Sequence, residues 1–408
     1  VNYIQLLKAN PKIIFFGVLM VFFSSFGQTF LLSIYIPSFI EYFDISRSFF
    51  SSLYAVATLL SAASLVFVGK KIDYVPLKRF TLFVVFGIIA ACLITAFSWH
   101  LTVLFIGIFS LRFFGQGLSM HTAATTMGRY FSKLRGKALS VSFLGFSLGE
   151  ATLPVLVATS IGIIGWRETL GVSAVFVVVV LLPLSMFLLR GFSRDTIKEG
   201  LDEKEKKANL AKETKEPIWK QQEVLRTPWF YLFAPTVFLI GFLQTALFFF
   251  QTYIAEFKGW STEWMAGSLI GFAITSSLCS LLAGPLVDKF SARRLFPFIL
   301  IPLGCGILLL SLSAHPAITP IYWLLIGVTG GMKNPVMTAL YAEKFGTRSL
   351  GTIRSLFSFV MVGSTALGPV VYSFLLDHGF NFDQIHFGVI GVIVVNMFFI
   401  LWYQAVRK

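Results

Sequence analysis

The chain has 408 residues, of which 56% are hydrophobic and only 13% charged. Soluble globular proteins carry about 25% charged residues, so the composition excludes an ordinary soluble domain and describes a protein housed in lipid. The net charge of +14 would point to nucleic acid only if the basic residues shared one solvent-facing patch, and their placement along the chain excludes that.

A hydrocarbon core about 30 Å thick needs about 20 apolar residues per helical crossing. In chain order, twelve runs meet this length: 13–40, 48–69, 80–99, 101–127, 138–163, 168–190, 229–255, 264–286, 296–314, 318–342, 351–376 and 384–405. The first and seventh are long enough to tilt or bend. The first is also too long for a signal-peptide core and has no small-residue cleavage site after it, so no removable leader is expected. Cys92, Cys279 and Cys305 fall inside apolar runs at no metal or redox spacing and read as buried space-fillers. No metal site and no cofactor is expected.

If both termini are cytoplasmic, the inner loops and tails hold 28 of the 33 Lys and Arg residues, and the outer loops hold Arg47, Arg167 and Lys258. This asymmetry is the positive-inside signature of a multi-pass inner-membrane protein. The excess charge then orients the chain in its membrane, and no nucleic-acid partner is expected. Residues 191–227 carry nine basic and eight acidic residues with almost no apolar periodicity before Ile218. They read as a cytoplasmic linker between an N-terminal bundle, 1–190, and a C-terminal bundle, 228–408.

The two halves repeat at a nearly constant offset. GKKIDYVPLKR begins at Gly69 and GPLVDKFSARR at Gly284, 215 residues later. SFGQT, with Gln28 and Thr29, recurs as GFLQT, with Gln244 and Thr245. Pro154 and Pro369 stand 215 apart in the fifth and eleventh spans. A parallel six-plus-six repeat is the architecture of a transporter that rocks one half against the other.

The Gly-x-x-x-Asp loop with its basic pair, present in both halves, resembles the signature loop of the major facilitator superfamily, and the resemblance covers the whole chain. It implies an all-α membrane fold of twelve transmembrane helices in two pseudo-symmetric six-helix bundles. It also implies gating roles: Gly69 and Gly284 allow close helix approach, while Asp73 and Asp288 cap or pair near Lys78, Arg79, Arg293 and Arg294. GRYFSKLRGKALSVSFLGFSLGEATLPV, 128–155, is similar to the fourth-to-fifth-span segment of the monocarboxylate and oxalate/formate porters. It departs from that branch in having no charge in the eighth span before Asp288 and no lysine in the first, so substrate identity does not carry over.

Three charges remain inside the spans: Arg112, Glu150 and Lys333. By helical rise, Arg112 lies about 16 Å and Glu150 about 18 Å from the ends of their spans, both near the midplane. A charge there costs about 2.5–3.5 kcal/mol or more, so each needs a partner, water or ligand. One reading is an Arg112–Glu150 ion pair holding neighbouring helices together. The other makes Arg112 an electrostatic anchor and Glu150 a proton-coupling acceptor, a generic role that arginines in the fourth span of this superfamily support. Lys333, in TGGMKNP, either snorkels to the inner face or lines the cavity. Two cations against one anion leave a surplus positive charge that an anionic substrate would fill. Gln28 and Gln244 read as a pair of cavity amides or as interhelical hydrogen-bonding residues, with Tyr54 and Asn334 as further lining. His121 reads as structural.

Gly145-Phe146-Ser147-Leu148-Gly149 fits the serine-hydrolase pattern G-x-S-x-G, which needs a strand-to-helix elbow. Inside a continuous apolar helix the two glycines read instead as a packing face. With no phosphate-binding loop, the chain is expected not to be an enzyme. The expectation is a monomeric secondary transporter with alternating access that moves a small organic anion with protons. The alternatives are proton-driven efflux of amphipathic compounds and a non-transporting membrane sensor.

Overall fold

The computed structural model describes residues 7–8, 11–73, 75–130, 135–191, 219–346 and 350–406. Apolar runs this long satisfy their backbone groups within the segment only as helices, and the described residues contain helices and no strand. Contacts divide the chain into two compact units, Val1–Leu201 with Thr262–Gly267, and Asp202–Ser261 with Ser268–Lys408. Most of the expected linker, 192–218, lies outside the described residues.

Among the described residues, eleven helices are both long and apolar enough to cross a bilayer. The tenth run also forms one helix, Ile318–Phe345, but the polar stretch Thr329-Gly330-Gly331-Met332-Lys333-Asn334 dilutes its apolar character. At 28 residues it remains about 42 Å long, ample for a crossing. The chain is therefore an all-α membrane fold with twelve spans, six from each half of the sequence.

Several spans depart from simple rods, and in two of them the irregularities meet. The first is helical over Pro11–Phe23, tightens to a 3₁₀ turn at Ser24–Gly27, and resumes as Thr29–Phe43. Gln28 between them is extended, with φ −84° and ψ 150°. The fourth is α-helical over Leu101–Ser110, widens to a π-helix over Leu111–Ser119, and returns to α-helix at Met120–Tyr130. π-Segments concentrate at functional sites, and both irregularities meet here. A Cβ added to Gly27 would overlap the Leu111 carbonyl, and one added to Gly115 would stand 2.7 Å from the Gly27 nitrogen. The two backbones touch because neither residue has a side chain.

Gly145 and Gly149 lie inside the continuous helix Arg135–Ile164, so the G-x-S-x-G pattern has no elbow. Gly145 packs against the Val18 carbonyl and Gly149 against Ser25, both of the first span. Gly162, on the same helix, has nothing within 4 Å of its Cβ position. Opposite signs follow for one chemical change. Gly145→Ala is expected to destabilise the purified protein by about 1–3 kcal/mol through overpacking. Gly162→Ala is expected to stabilise it by about 0.5–1 kcal/mol through lower unfolded-chain entropy. Thermal unfolding midpoints measured side by side check both.

Candidate functional site

In the first unit the site is built around Arg112. Its side chain is among the largest that are fully enclosed, at 2% exposure. Nε donates to Thr58 Oγ1 at 3.1 Å, and Nη1 donates to the Gly27 carbonyl at 3.0 Å and to Thr29 Oγ1 at 3.3 Å. The guanidinium carbon lies 5.0 Å from the centre of the Tyr54 ring, within cation–π range. Tyr54 is itself tied to Thr29 by a 2.7 Å hydroxyl–hydroxyl hydrogen bond.

The break in the first span supplies one of these acceptors. In an unbroken helix the Gly27 carbonyl would accept from the Leu31 N–H. Here the Leu31 and Leu32 N–H groups both donate to the Gln28 carbonyl, at 3.2 and 3.0 Å. The Gly27 oxygen is thereby released to Arg112. Thr29, at the restart of the helix, and Thr58, one turn beyond Tyr54 on the second span, complete the cradle.

The ion pair with Glu150, one of the two readings open from the sequence, is not among these bonds. Glu150 is buried at 1% exposure, but the hydrogen bonds of the Arg112 guanidinium go to three neutral oxygens and none goes to Glu150. They use Nε and Nη1, and leave the two N–H groups of Nη2 without an acceptor among the described residues. Gln28, 7% exposed, has an amide nitrogen that is also buried without a hydrogen-bond partner.

In the second unit, two residues expected to line a cavity are brought together. Lys333 Nζ donates to Gln244 Oε1 at 2.7 Å. The Gln244 amide nitrogen is buried without a partner, in a residue 5% exposed. Lys333 lines a cleft with Asn334, Tyr341, Arg354, Val237 and Phe357. Tyr341 stacks on Phe357 with ring centres 4.5 Å apart. The cleft carries two cations, three hydroxyl groups, one amide and an apolar wall, and no carboxylate among the described residues lines it.

The halves are thus not chemically equivalent. Gln244 and Thr245 stay within the helix Pro228–Phe249, where Gln28 and Thr29 flank a break. At the 215-residue offset, the counterpart of Arg112 is Gly327, a close-packing residue against Phe272 and Thr275.

The signature loops are seen in part. The side chains of Asp73 and Asp288 lie outside the described residues. Gly69 sits in the expected close approach: its carbonyl lies 3.1 Å from His121 Nε2, which must donate there. This bond ties the second span to the fourth and gives His121 a structural partner. For Gly284, by contrast, nothing among the described residues lies within 4 Å of its Cβ position. Arg79 is exposed. Arg293 lays its guanidinium 5.9 Å from the centre of the Trp229 ring, on which Lys344 also sits at 3.4 Å. The Glu343 carboxylate accepts the backbone N–H groups of Ala292 and Arg293, at 2.8 and 3.2 Å. Thr58, Tyr341, Arg354 and Glu343 carry no sequence signal that singles them out, since hydroxyls and loop charges recur throughout the chain.

Comparison with known proteins relates the chain to a family, to a partial relative and to a solved fold. The sequence pattern of the Major Facilitator Superfamily matches residues 14–369 and 264–408. A multidrug resistance protein B homolog of Mycobacterium tuberculosis, found in two strains, is 26% identical over 126 residues. That stretch is 31% of this chain and only 23% of the relative's length. Among solved structures, a bacterial homolog of the human lysosomal transporter Spinster, in an inward-facing and occupied conformation, superposes with a TM-score of 0.71. The superposition covers 95% of this chain and 96% of that one at 14% identity, which is a likeness of fold.

Proposed function

The chain belongs to the major facilitator superfamily, and from that premise we propose that it is a secondary transporter of small organic anions, working across the inner membrane by alternating access with proton coupling. One observation carries the choice of an anion. Arg112 is buried inside a span, its bonded partners are neutral oxygens, and two of its donors are unused among the described residues. A carboxylate is the ligand that fits a planar fork of N–H donors. The Lys333–Gln244 pair and Arg354 add a second cationic surface in the other unit, and the orphaned amide N–H groups of Gln28 and Gln244 ask for acceptors in both. Glu150, the acidic side chain fully inside a span, is assigned the coupling proton.

The test is a thermal-shift series on the purified protein with small monocarboxylates, small sulfonates, neutral osmolytes and amphipathic cations. Stabilisation by the carboxylates alone is the expected result. Stabilisation by neutral or cationic solutes, with none from any anion, would falsify the assignment. In the same assay Lys333→Ala is expected to weaken anion stabilisation by about tenfold in apparent affinity, the effect of losing one exposed-to-half-buried charge contact.

A second reading, proton-driven efflux of amphipathic compounds, has its own support. The partial relative is a multidrug resistance protein homolog, and Val237, Met337, Phe357 and Met361 give the cleft an apolar wall. Its sign is stabilisation by amphipathic cations together with acid-driven extrusion of the same compounds from loaded vesicles.

A further inference from the structure

The end of the second bundle remote from its first and last residues contains a group of buried polar side chains to which neither reading of the transport function gives a role. His386 lies on the last span, Phe382–Val406, at 0% exposure. Its Nδ1 is 3.3 Å from Ser311 Oγ on the ninth span. Ser311 has one proton, and that proton is donated to the Ile307 carbonyl at 2.9 Å. Toward His386 the serine oxygen can only accept, so Nδ1 carries the ring proton. Nε2 is left as a bare base, and it has no hydrogen-bond partner within the protein.

Two phenols share the neighbourhood. The Tyr372 ring centre, on the eleventh span, stands 6.1 Å from that of His386. Tyr322, on the tenth, is close enough to Tyr372 for the two hydroxyls to interact electrostatically. Both residues are almost fully buried, and neither hydroxyl has a partner within the protein. Three buried polar atoms left dry would be costly. Groups that miss direct contact across a polar gap are the setting in which internal water makes about three hydrogen bonds.

An ion pair near this group is partly exposed. Asp383 lies one helical turn before His386 and accepts from Lys258 Nζ at 2.9 Å, with its side chain 27% exposed. The charge of Lys258 is answered by Asp383. The other titratable groups nearby are Tyr372 and Tyr322; Asp377 and His378 end the eleventh span in an exposed position.

We propose that His386 Nε2, Tyr372 and Tyr322 enclose an internal water site at which His386 takes up a proton from the surface marked by the Lys258–Asp383 pair. The step is a simple transfer: a water O–H gives its proton to the Nε2 lone pair, and the resulting hydroxide is neutralised by a proton from bulk water through the same opening. The site is distinct from Arg112, Glu150 and the Lys333 cleft, and stands whichever solute the protein moves.

Deuterium exchange at the imidazole C2 position tests it directly on the full chain in nanodiscs, because this exchange needs solvent at the ring and follows its protonation. His378, exposed on the neighbouring span, serves as the internal reference. The expected result is measurable uptake at His386 with a sigmoidal dependence on pH, slower than at His378. Absence of uptake at every pH, with His378 exchanging normally, overturns the proposal, as does uptake that ignores pH. Tyr372→Phe and Tyr322→Phe provide the second arm. They are expected to slow exchange at His386 several-fold and leave the protein no more stable. A rise in the melting temperature with unchanged exchange marks the hydroxyls as dry and rejects the water site.

Discussion

Arg112→Ala is expected to weaken carboxylate binding about 10- to 150-fold while leaving the thermal unfolding midpoint within a few degrees of the parent protein. The binding estimate is the worth of about 1.5–3 kcal/mol for a hydrogen bond to a charged group, converted at tenfold per 1.4 kcal/mol. The near-neutral stability follows from two opposing terms. Removing the guanidinium leaves the Gly27 carbonyl, Thr29 and Thr58 without their donor, which costs about 1–3 kcal/mol for each acceptor left dry. It also removes a charge whose burial in a membrane protein costs about 2.5–3.5 kcal/mol or more. The two threonine hydroxyls can rotate toward other partners, so the losses are smaller than their sum. Arg112→Lys keeps the charge but offers a compact ammonium in place of a fork, and it is expected to recover only part of the affinity. Binding titrations and melting curves on the same preparations check this. If stability collapses in step with binding, Arg112 is a brace between the first, second and fourth spans and the anion loses its principal support.

The parts of this protein that are legible along the chain are those set by local composition. Apolar run length gives every span, and the polar TGGMKNP stretch did not prevent Ile318–Phe345 from forming a helix, because length and neighbours override one polar turn. The depth of Arg112 and Glu150 follows from counting residues. What counting does not reveal is who meets whom. The break at Ser24–Gly27 has no proline and only one glycine to announce it; it exists because Gly27 and Gly115 let two backbones touch and because a buried guanidinium takes the carbonyl that the helix gives up. Lys333 and Gln244 were both visible as lining candidates, yet their bond spans 89 residues of sequence and depends on how the seventh and tenth spans pack. Gly284 shows the converse. Its motif matches that of Gly69, but among the described residues only Gly69 has a neighbour within 4 Å. His386 is a single imidazole in an apolar helix, and its bare Nε2 is visible only once the Ser311 proton is traced to Ile307.

Glu150→Gln is expected to flatten the pH dependence of transport from as much as about tenfold per pH unit, the limit for one linked proton, to no slope at all. The carboxylate is 1% exposed and sits one residue beyond Gly149, whose contact with Ser25 fixes the fifth span against the 3₁₀ turn of the first. A carboxylate in that position is expensive when charged and tolerable when protonated. If the cycle alternately gives it water and takes water away, it must bind and release a proton as it goes. Glutamine keeps the shape and hydrogen-bonding capacity but has no proton to exchange, so folding and anion binding should persist while the coupling is lost. The measurement is carboxylate uptake into proteoliposomes across a series of external pH values, with an internal anion load for counterflow as the control. Counterflow in the glutamine variant is expected to match that of the parent, because exchange of one anion for another moves no net proton. A glutamine variant that still accelerates as the outside is acidified removes Glu150 from the coupling step and leaves His386 as the group to substitute next.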